Sequence, residues 1–153
     1  MPAPFAFYHR GARPWGRKRW RERLADGGHS VHVAVSGEAE AQIVGFAAGG
    51  PVRQAVPGHT GELHAIDLLP EVQRRGTGRR LLGRVAADLA RSGHVHPCVW
   101  MLADNPSRAF YERLGGREVA RAYVSIGGAE LPELAYGYDD LGALVRLAAG
   151  DPA

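Results

Sequence analysis

The stretch ELHAIDLLPEVQRRGTGRRLLG, from Glu62 to Gly83, decides how the chain is read. It opens on a strand-like run, Glu62 to Leu69. Pro70 ends that run, because a residue without an N–H cannot continue a central strand. Gln73-Arg74-Arg75-Gly76-Thr77-Gly78 follows, and an apolar helical pattern starts directly after it. Strand, glycine-rich turn and helix form a layout that turns backbone N–H groups toward an anion. The first N–H groups of a helix lack internal partners, and the helix dipole places partial positive charge there. Gly76 and Gly78 let the backbone approach a ligand closely. Arg74, Arg75, Arg79 and Arg80 add charge, and arginine's fork suits phosphate oxygens. These residues alone leave two readings open: a pyrophosphate site, or an ordinary strand-to-helix turn with a solvated basic edge. No Gly-Lys-Ser/Thr follows, so the turn is not a P-loop, and Leu81 breaks the dinucleotide-binding fingerprint.

Around this stretch the composition sets bounds. A chain of 153 residues suits one domain with a real core. With 45% apolar and 23% charged residues it reads as globular, and its 21 glycines are spread through turns rather than in tracts. A formal charge of +3 favours an anionic ligand slightly and does not imply nucleic-acid binding. No apolar run is long enough for a membrane span, and no secretory pattern opens the chain. The single Cys98 cannot form an intrachain disulfide, which fits the reducing cytoplasm, and it reads as buried filler. No metal-ligand spacing stands out.

Outward from the central stretch, residues 1 to 14 are irregular. Trp15 to Ala25 reads as a basic helix whose charge is a solvated face rather than a polyanion contact. His29 to Ser36 alternates, Gly37-Glu38 turns the chain, and Ala41 to Ala48 is a second strand, so the pair predicts an antiparallel hairpin. Gly49 to Gly61 holds Pro51, Pro57 and several glycines, and is expected to be a loop. After the glycine-rich turn, Leu81, Leu82, Val85 and Leu89 predict a helix from Thr77 to Arg91. Gly83 inside it is expected to allow close packing on the sheet. Pro97 to Leu102 is continuously apolar, as a strand buried on both faces is. Asn105 and Pro106 are good N-cap and first-turn residues for a short helix, Ser107 to Leu114. Arg117 to Ile126 and Leu131 to Asp139 read as strands across Gly127-Gly128, and Leu141 to Leu147 as a terminal helical turn. Two strand–helix–strand passes imply local parallel pairing. The expected class is α/β (α+β): a mixed, mostly antiparallel sheet with a splayed parallel pair and flanking helices.

Two motifs now stand together. One is Gln73-Arg74-Arg75-Gly76-Thr77-Gly78. The other is NPSRAFYERLG, which carries Asn105, Ala109, Phe110-Tyr111 and Gly115. With a strand between them and this separation, residues 15 to 140 resemble the GNAT acetyltransferase superfamily. The resemblance implies an acyl-CoA N-acyltransferase-like fold, acetyl-CoA as co-substrate, and direct acetyl transfer to a primary amine of a small molecule or peptide. A regulatory acyl-CoA-binding module without chemistry is the alternative it leaves. Coenzyme A would lie where the strand Glu62 to Leu69 parts from Pro97 to Leu102, with Ile66 and Leu68 pairing its pantetheine arm through their backbones. Gln73, Arg74, Arg75, Gly76, Thr77, Gly78 and Arg79 would hold the pyrophosphate, and Asn105 would reach the arm. The acceptor would be set by Gly49 to Gly61 and Ala120 to Leu134.

Amine acetylation needs two proton movements. An alkylammonium has a pKa of about 10.4, so a base must take its proton, and the departing thiolate must receive one. By motif position Tyr111 resembles the family's acid on sulfur; as a residue of an amphipathic helix it also reads as a core aromatic. Glu62 lies 11 residues before Gln73, as does the base of the histone acetyltransferase branch; it also reads as an exposed strand-end carboxylate. His64 shares the face of Glu62 by strand alternation; it reads as a surface residue, or as one that relays a proton through water. Trp100 stands where related ribosomal-protein acetyltransferases carry a glutamate. The family's usual leading strand and helix do not fit into fourteen irregular residues, so the expected partner is a second copy of the chain, paired through the uncovered sheet as a homodimer.

Overall fold

The computed structural model describes residues 17–37 and 40–150. The irregular start over residues 1 to 14, Trp15 of the first helix and Glu38 of the first turn lie outside the described residues. Helix α1 spans Arg17–Ala25. Strands β1 (Ser30–Ser36), β2 (Gln42–Val56) and β3 (His59–Leu68) follow as an antiparallel run. A short 3-10 turn, Pro70–Val72, leads to α2 (Thr77–Arg91). Then come β4 (Cys98–Leu102), α3 (Arg108–Arg113), β5 (Arg117–Ile126), β6 (Ala129–Gly137) and α4 (Leu141–Arg146). The strands form one sheet in the order β1-β2-β3-β4-β6-β5, and among them only β3 and β4 run parallel. This is the mixed, mostly antiparallel α/β arrangement the motifs imply. No helix among the described residues is long and apolar enough to cross a membrane.

Three expectations change. Gly49 to Gly61 is not a loop: β2 runs on to Val56 and β3 starts at His59, with the turn confined to Pro57-Gly58. The reason is a long-range contact. A Cβ on Gly49 would lie 2.4 Å from Val85 Cγ1 of α2, so this glycine serves close approach within a strand. The second strand–helix–strand pass makes no parallel pair either, because β6 returns between β4 and β5. And Gly83 does not meet the sheet. A Cβ there would lie 2.2 Å from the backbone nitrogen of Ala148, in the 3-10 turn Leu147–Ala149 that follows α4.

The sheet has two unlike faces. On one, Leu81, Leu82, Val85, Ala86 and Leu89 of α2 pack against Val99, Met101, Leu134 and Tyr136, with Leu144 and Leu147 closing the cluster. Alternation along β4 sends Cys98 and Trp100 the other way, where they join Val56 and Ala135. Helix α1 lies on this second face. Its Trp20 ring meets Phe46 edge-on at 5.3 Å, and its Arg23 reaches His64 of β3.

The parallel pair is short. Glu62 faces Cys98 and Leu63 faces Val99, and no further pairing joins the two strands. Beyond it β3 continues to Leu68 and β4 to Leu102. A β-bulge accompanies the parting. Ala48 faces Ala65 while Gly49 faces Leu63, so His64 is the extra residue of β3. A bulge bends its strand and strengthens its twist, which turns β3 away from β4.

Candidate active site

The bend in β3, the first turn of α2 and helix α3 enclose a cleft of about 620 Å³. Its wall includes Ile66, Asp67 and Leu68 from β3; Gln73, Arg74, Gly76, Gly78 and Arg79 from the turn; and Phe110, Tyr111 and Arg113 from α3. Three arginines against one aspartate make the cleft cationic. Gln73 Nε2 donates to the carbonyl of Leu68 at 3.0 Å, which ties the turn back to the strand. Arg74 sits at φ 58° and Gly76 at φ 80°. A left-handed arginine stores of order 1–3 kcal/mol of strain, of the kind that gathers at ligand clamps. Gly76 caps α2 without any side-chain hydrogen bond, so the helix presents its first N–H groups to the cleft. Burial raises the carboxyl of Asp67.

Tyr111 is 1% exposed, and burial holds its phenol well above its ordinary range. Its ring packs edge-on against Phe110 at 5.2 Å. Helix α3 is fixed to the sheet by a small network. Tyr136 Oη donates to Glu112 at 2.7 Å, and Arg108 Nε donates to the same hydroxyl at 3.2 Å. The helix starts later than its motif implies. Asn105 Oδ1 accepts from the backbone N–H of Ser107 at 2.8 Å, so Asn105 caps a turn that precedes the helix.

The opposite face holds a buried ionic cluster. Glu62 is fully buried, which sets aside its reading as an exposed carboxylate. Arg53 donates its backbone N–H to Oε2 at 2.8 Å and its Nε to Oε1 at 3.0 Å, with Nη2 on the same Oε1. His64 Nε2 lies 4.0 Å from Oε2. Alternation alone would not keep these two residues together beyond a bulge; the bulge places them so. Nε2–H of His64 donates to the Pro51 carbonyl at 2.9 Å, and Nδ1 accepts from Arg23 Nη1 at 3.0 Å. Burial first, and then the charge of Arg53, pushes the His64 pKa down to about 3. The ring is therefore neutral with both nitrogens engaged, which suits a structural residue better than a proton relay. Beside the cluster lies a second cavity of about 400 Å³, lined by Arg53, Gln54, Glu62, Trp100, Tyr123, Val124 and Ser125.

The structure thus divides the residues read from the sequence. Ile66, Leu68, Gln73, Arg74, Gly76, Gly78, Arg79 and Tyr111 share one cleft, while Glu62 lines the other cavity. Arg75, Thr77 and Asn105 are not part of either wall. Arg53 and Gln54 lie in Gly49 to Gly61, and Tyr123, Val124 and Ser125 in Ala120 to Leu134, the two segments expected to set the acceptor, but sequence reading singled out none of them, nor Arg113 on the first side. Arg113 has a signal, one helical turn within the second motif. Arg53 has only that of its segment, since nothing local marks it as the partner of Glu62.

Residues 45–125 match the FR47-like protein family. The N-acetyltransferase YuaI of Bacillus subtilis, itself uncharacterised, is 38% identical over 129 residues, 84% of this chain and 72% of that protein. Among solved structures, the ribosomal-protein-alanine N-acetyltransferase of Brucella melitensis superposes with a TM-score of 0.63 at 26% identity, covering 80% of this chain and 76% of that one. YncA of Salmonella typhimurium, solved with its cofactor acetyl-CoA, superposes with a TM-score of 0.61 at 24% identity over 78% of this chain and 69% of that one. The parted parallel strands, the arginine-glycine turn and these relatives lead to one conclusion: the chain belongs to the FR47-like family of the GNAT superfamily and is an N-acetyltransferase.

Proposed function

We propose that the protein moves an acetyl group from acetyl-CoA directly to a primary amine, with the co-substrate on the α2 side of the parted strands and the amine on the other. The observation that carries this reading is the cleft, where a cationic turn, an uncapped helix start and an unpaired stretch of β3 meet. Acetyl-CoA supplies an activated acetyl thioester when bound; the chain supplies position and proton handling. Backbone N–H groups from Arg74 to Arg79 hold the pyrophosphate, with the side chains of Arg74 and Arg79 as counter-charges and those of Arg75 and Thr77 outside the wall. Ile66 and Leu68 offer backbone groups to the pantetheine arm, and Asn105 supports the arm through its amide nitrogen.

Tyr111 holds its proton at any working pH and lies in the wall of the cleft, which suits an acid for the departing thiolate. Glu62 takes the proton of the acceptor ammonium on Oε2, which among the described residues accepts one hydrogen bond, from Arg53 N–H, and releases it as the product leaves. A covalent acyl-cysteine route is disfavoured, since burial pushes the Cys98 thiol up to about 12. The acceptor is an amine of a small molecule or a peptide rather than a nucleic acid, and a cytoplasmic location fits the single reduced cysteine. Thermal unfolding with acetyl-CoA tests the cleft, and thiol release with a panel of amines tests the transfer. No stabilisation at saturating acetyl-CoA overturns the reading.

We also propose a homodimer. β1 is an edge strand, and Val33, Val35 and Ile43 beside it are 50%, 52% and 64% exposed. Sedimentation at micromolar concentration tests it, and a clean monomer overturns it.

A further inference from the structure

Two residues in the wall of the second cavity hold buried polar atoms with no hydrogen-bond partner among the described residues. Trp100 is 2% exposed, and its indole Nε1–H has no partner among the described residues. Gln54 Oε1 is likewise buried without a partner. Both side chains line the same cavity beside Glu62. One is a donor only, and the other is an acceptor. Buried polar groups in native proteins are nearly all paired, so an orphan donor and an orphan acceptor in one cavity wall point to a ligand that completes them. The volume, about 400 Å³, lies in the range of sites for small molecules.

The charge of the cavity narrows the ligand further. Its lining has one carboxylate, Glu62, and one guanidinium, Arg53, and these are bonded to each other. No uncommitted cation is left in the lining for a carboxylate or phosphate. The indole N–H suits a neutral oxygen instead. A plain alkylamine can give an N–H to Gln54 but has nothing for Trp100.

We infer that the acceptor is a small primary amine with a neutral oxygen, a hydroxyl or an amide carbonyl, on the carbon next to its amino-bearing carbon, and that Trp100 and Gln54 read that oxygen and the amine together. This rests on the acetyl transfer proposed above. A site built to bond a substrate oxygen rejects analogues lacking it, so the preference over a matched alkylamine is about tenfold or more in kcat/KM.

The test compares propylamine, 1-amino-2-propanol, alaninamide, alanine and an alanine-initiated tripeptide as acceptors at saturating acetyl-CoA. The amino alcohol and the amide lead propylamine by about tenfold, and alanine shows no such lead. Trp100→Phe deletes the N–H and keeps an aromatic ring; the ratio of amino alcohol to propylamine then falls toward one, whatever happens to each rate. Gln54→Leu, on the half-buried edge of the cavity, lowers the same ratio if the tryptophan variant fails to fold. Calorimetric titration of the amine pair into protein saturated with coenzyme A reads the preference without turnover. Equal kcat/KM or equal affinity for the pair overturns the inference while the transferase reading stands. A tripeptide far ahead of alaninamide overturns the small-molecule assignment. Protein that binds acetyl-CoA yet acetylates no amine overturns the transfer reading instead.

Discussion

The two cavities on either side of the parted strands are built on opposite plans. The cleft beside α2 is made from two short runs of sequence, Ile66 to Arg79 and Pro106 to Leu114. Its working groups are backbone N–H groups and exposed arginines. The cavity beyond Glu62 is assembled from β2, β3, β4 and β5, and its working groups are side chains, among them the bonded pair Arg53 and Glu62. A site for an invariant co-substrate can be a local loop, because pyrophosphate asks only for positive charge and close backbone approach. A site for a particular acceptor needs side chains from several strands, each free to vary. The first plan tolerates side-chain loss; the second does not.

This contrast can be broken experimentally. The largest effect is expected at Tyr111, in the wall of the cleft beside α2. Tyr111→Phe removes the proton donor and should lower kcat by about 10²–10⁴, with calorimetric affinity for acetyl-CoA intact; an unchanged kcat removes Tyr111 from the mechanism. Next comes the ionic pair. Arg53→Ala leaves Glu62 charged, buried and alone, at a cost of about 3–5 kcal/mol in urea unfolding. The Arg53→Met, Glu62→Leu double variant should recover most of that loss. A single variant within about 1 kcal/mol of the parent would mean the pair behaves as a surface contact.

On the cleft side, Arg74→Ala with Arg79→Ala should weaken acetyl-CoA about 10–100-fold and leave fold stability nearly unchanged. A large stability loss would erase the distinction between the plans. At neutral pH the smallest effect per pH unit concerns His64. Its folded pKa lies near 3 against an ordinary 6.5, so below pH 6.5 the unfolded chain binds a proton that the folded one refuses. Stability is then lost as pH falls from 6.5 toward 3, by up to about 1.4 kcal/mol per pH unit. The urea midpoint measured against pH should show this slope, flattened in His64→Gln.

How much of this was legible in the sequence follows from the same contrast. The turn at Gln73–Gly78 and the helix behind it were readable because their chemistry lies within a few residues. The motif at Asn105–Gly115 was readable for the same reason, and it led to Tyr111. Glu62 was found by its distance from the turn, but its partner was not. Arg53 lies in a stretch whose glycines and prolines read as punctuation, whereas Gly49 is there because α2 presses Val85 onto it. That contact has no local trace. Nor does the bond from Arg23 to His64, 41 residues apart, or the return of β6 between β4 and β5.

Gly83 has a consequence for the order of assembly. The helix that presents its N–H groups at Gly76 is wedged from behind by Ala148, in a turn made long after it. During synthesis the N-terminal parts of a chain emerge and condense first. The pyrophosphate turn therefore leaves the ribosome with its helix unbraced, and the brace arrives only with residues 147–149. A nascent chain halted before them would carry every residue of the co-substrate motif and still lack a rigid place for the phosphates. If the turn holds the pyrophosphate as proposed, full affinity for acetyl-CoA is expected only once the turn after α4 has been made.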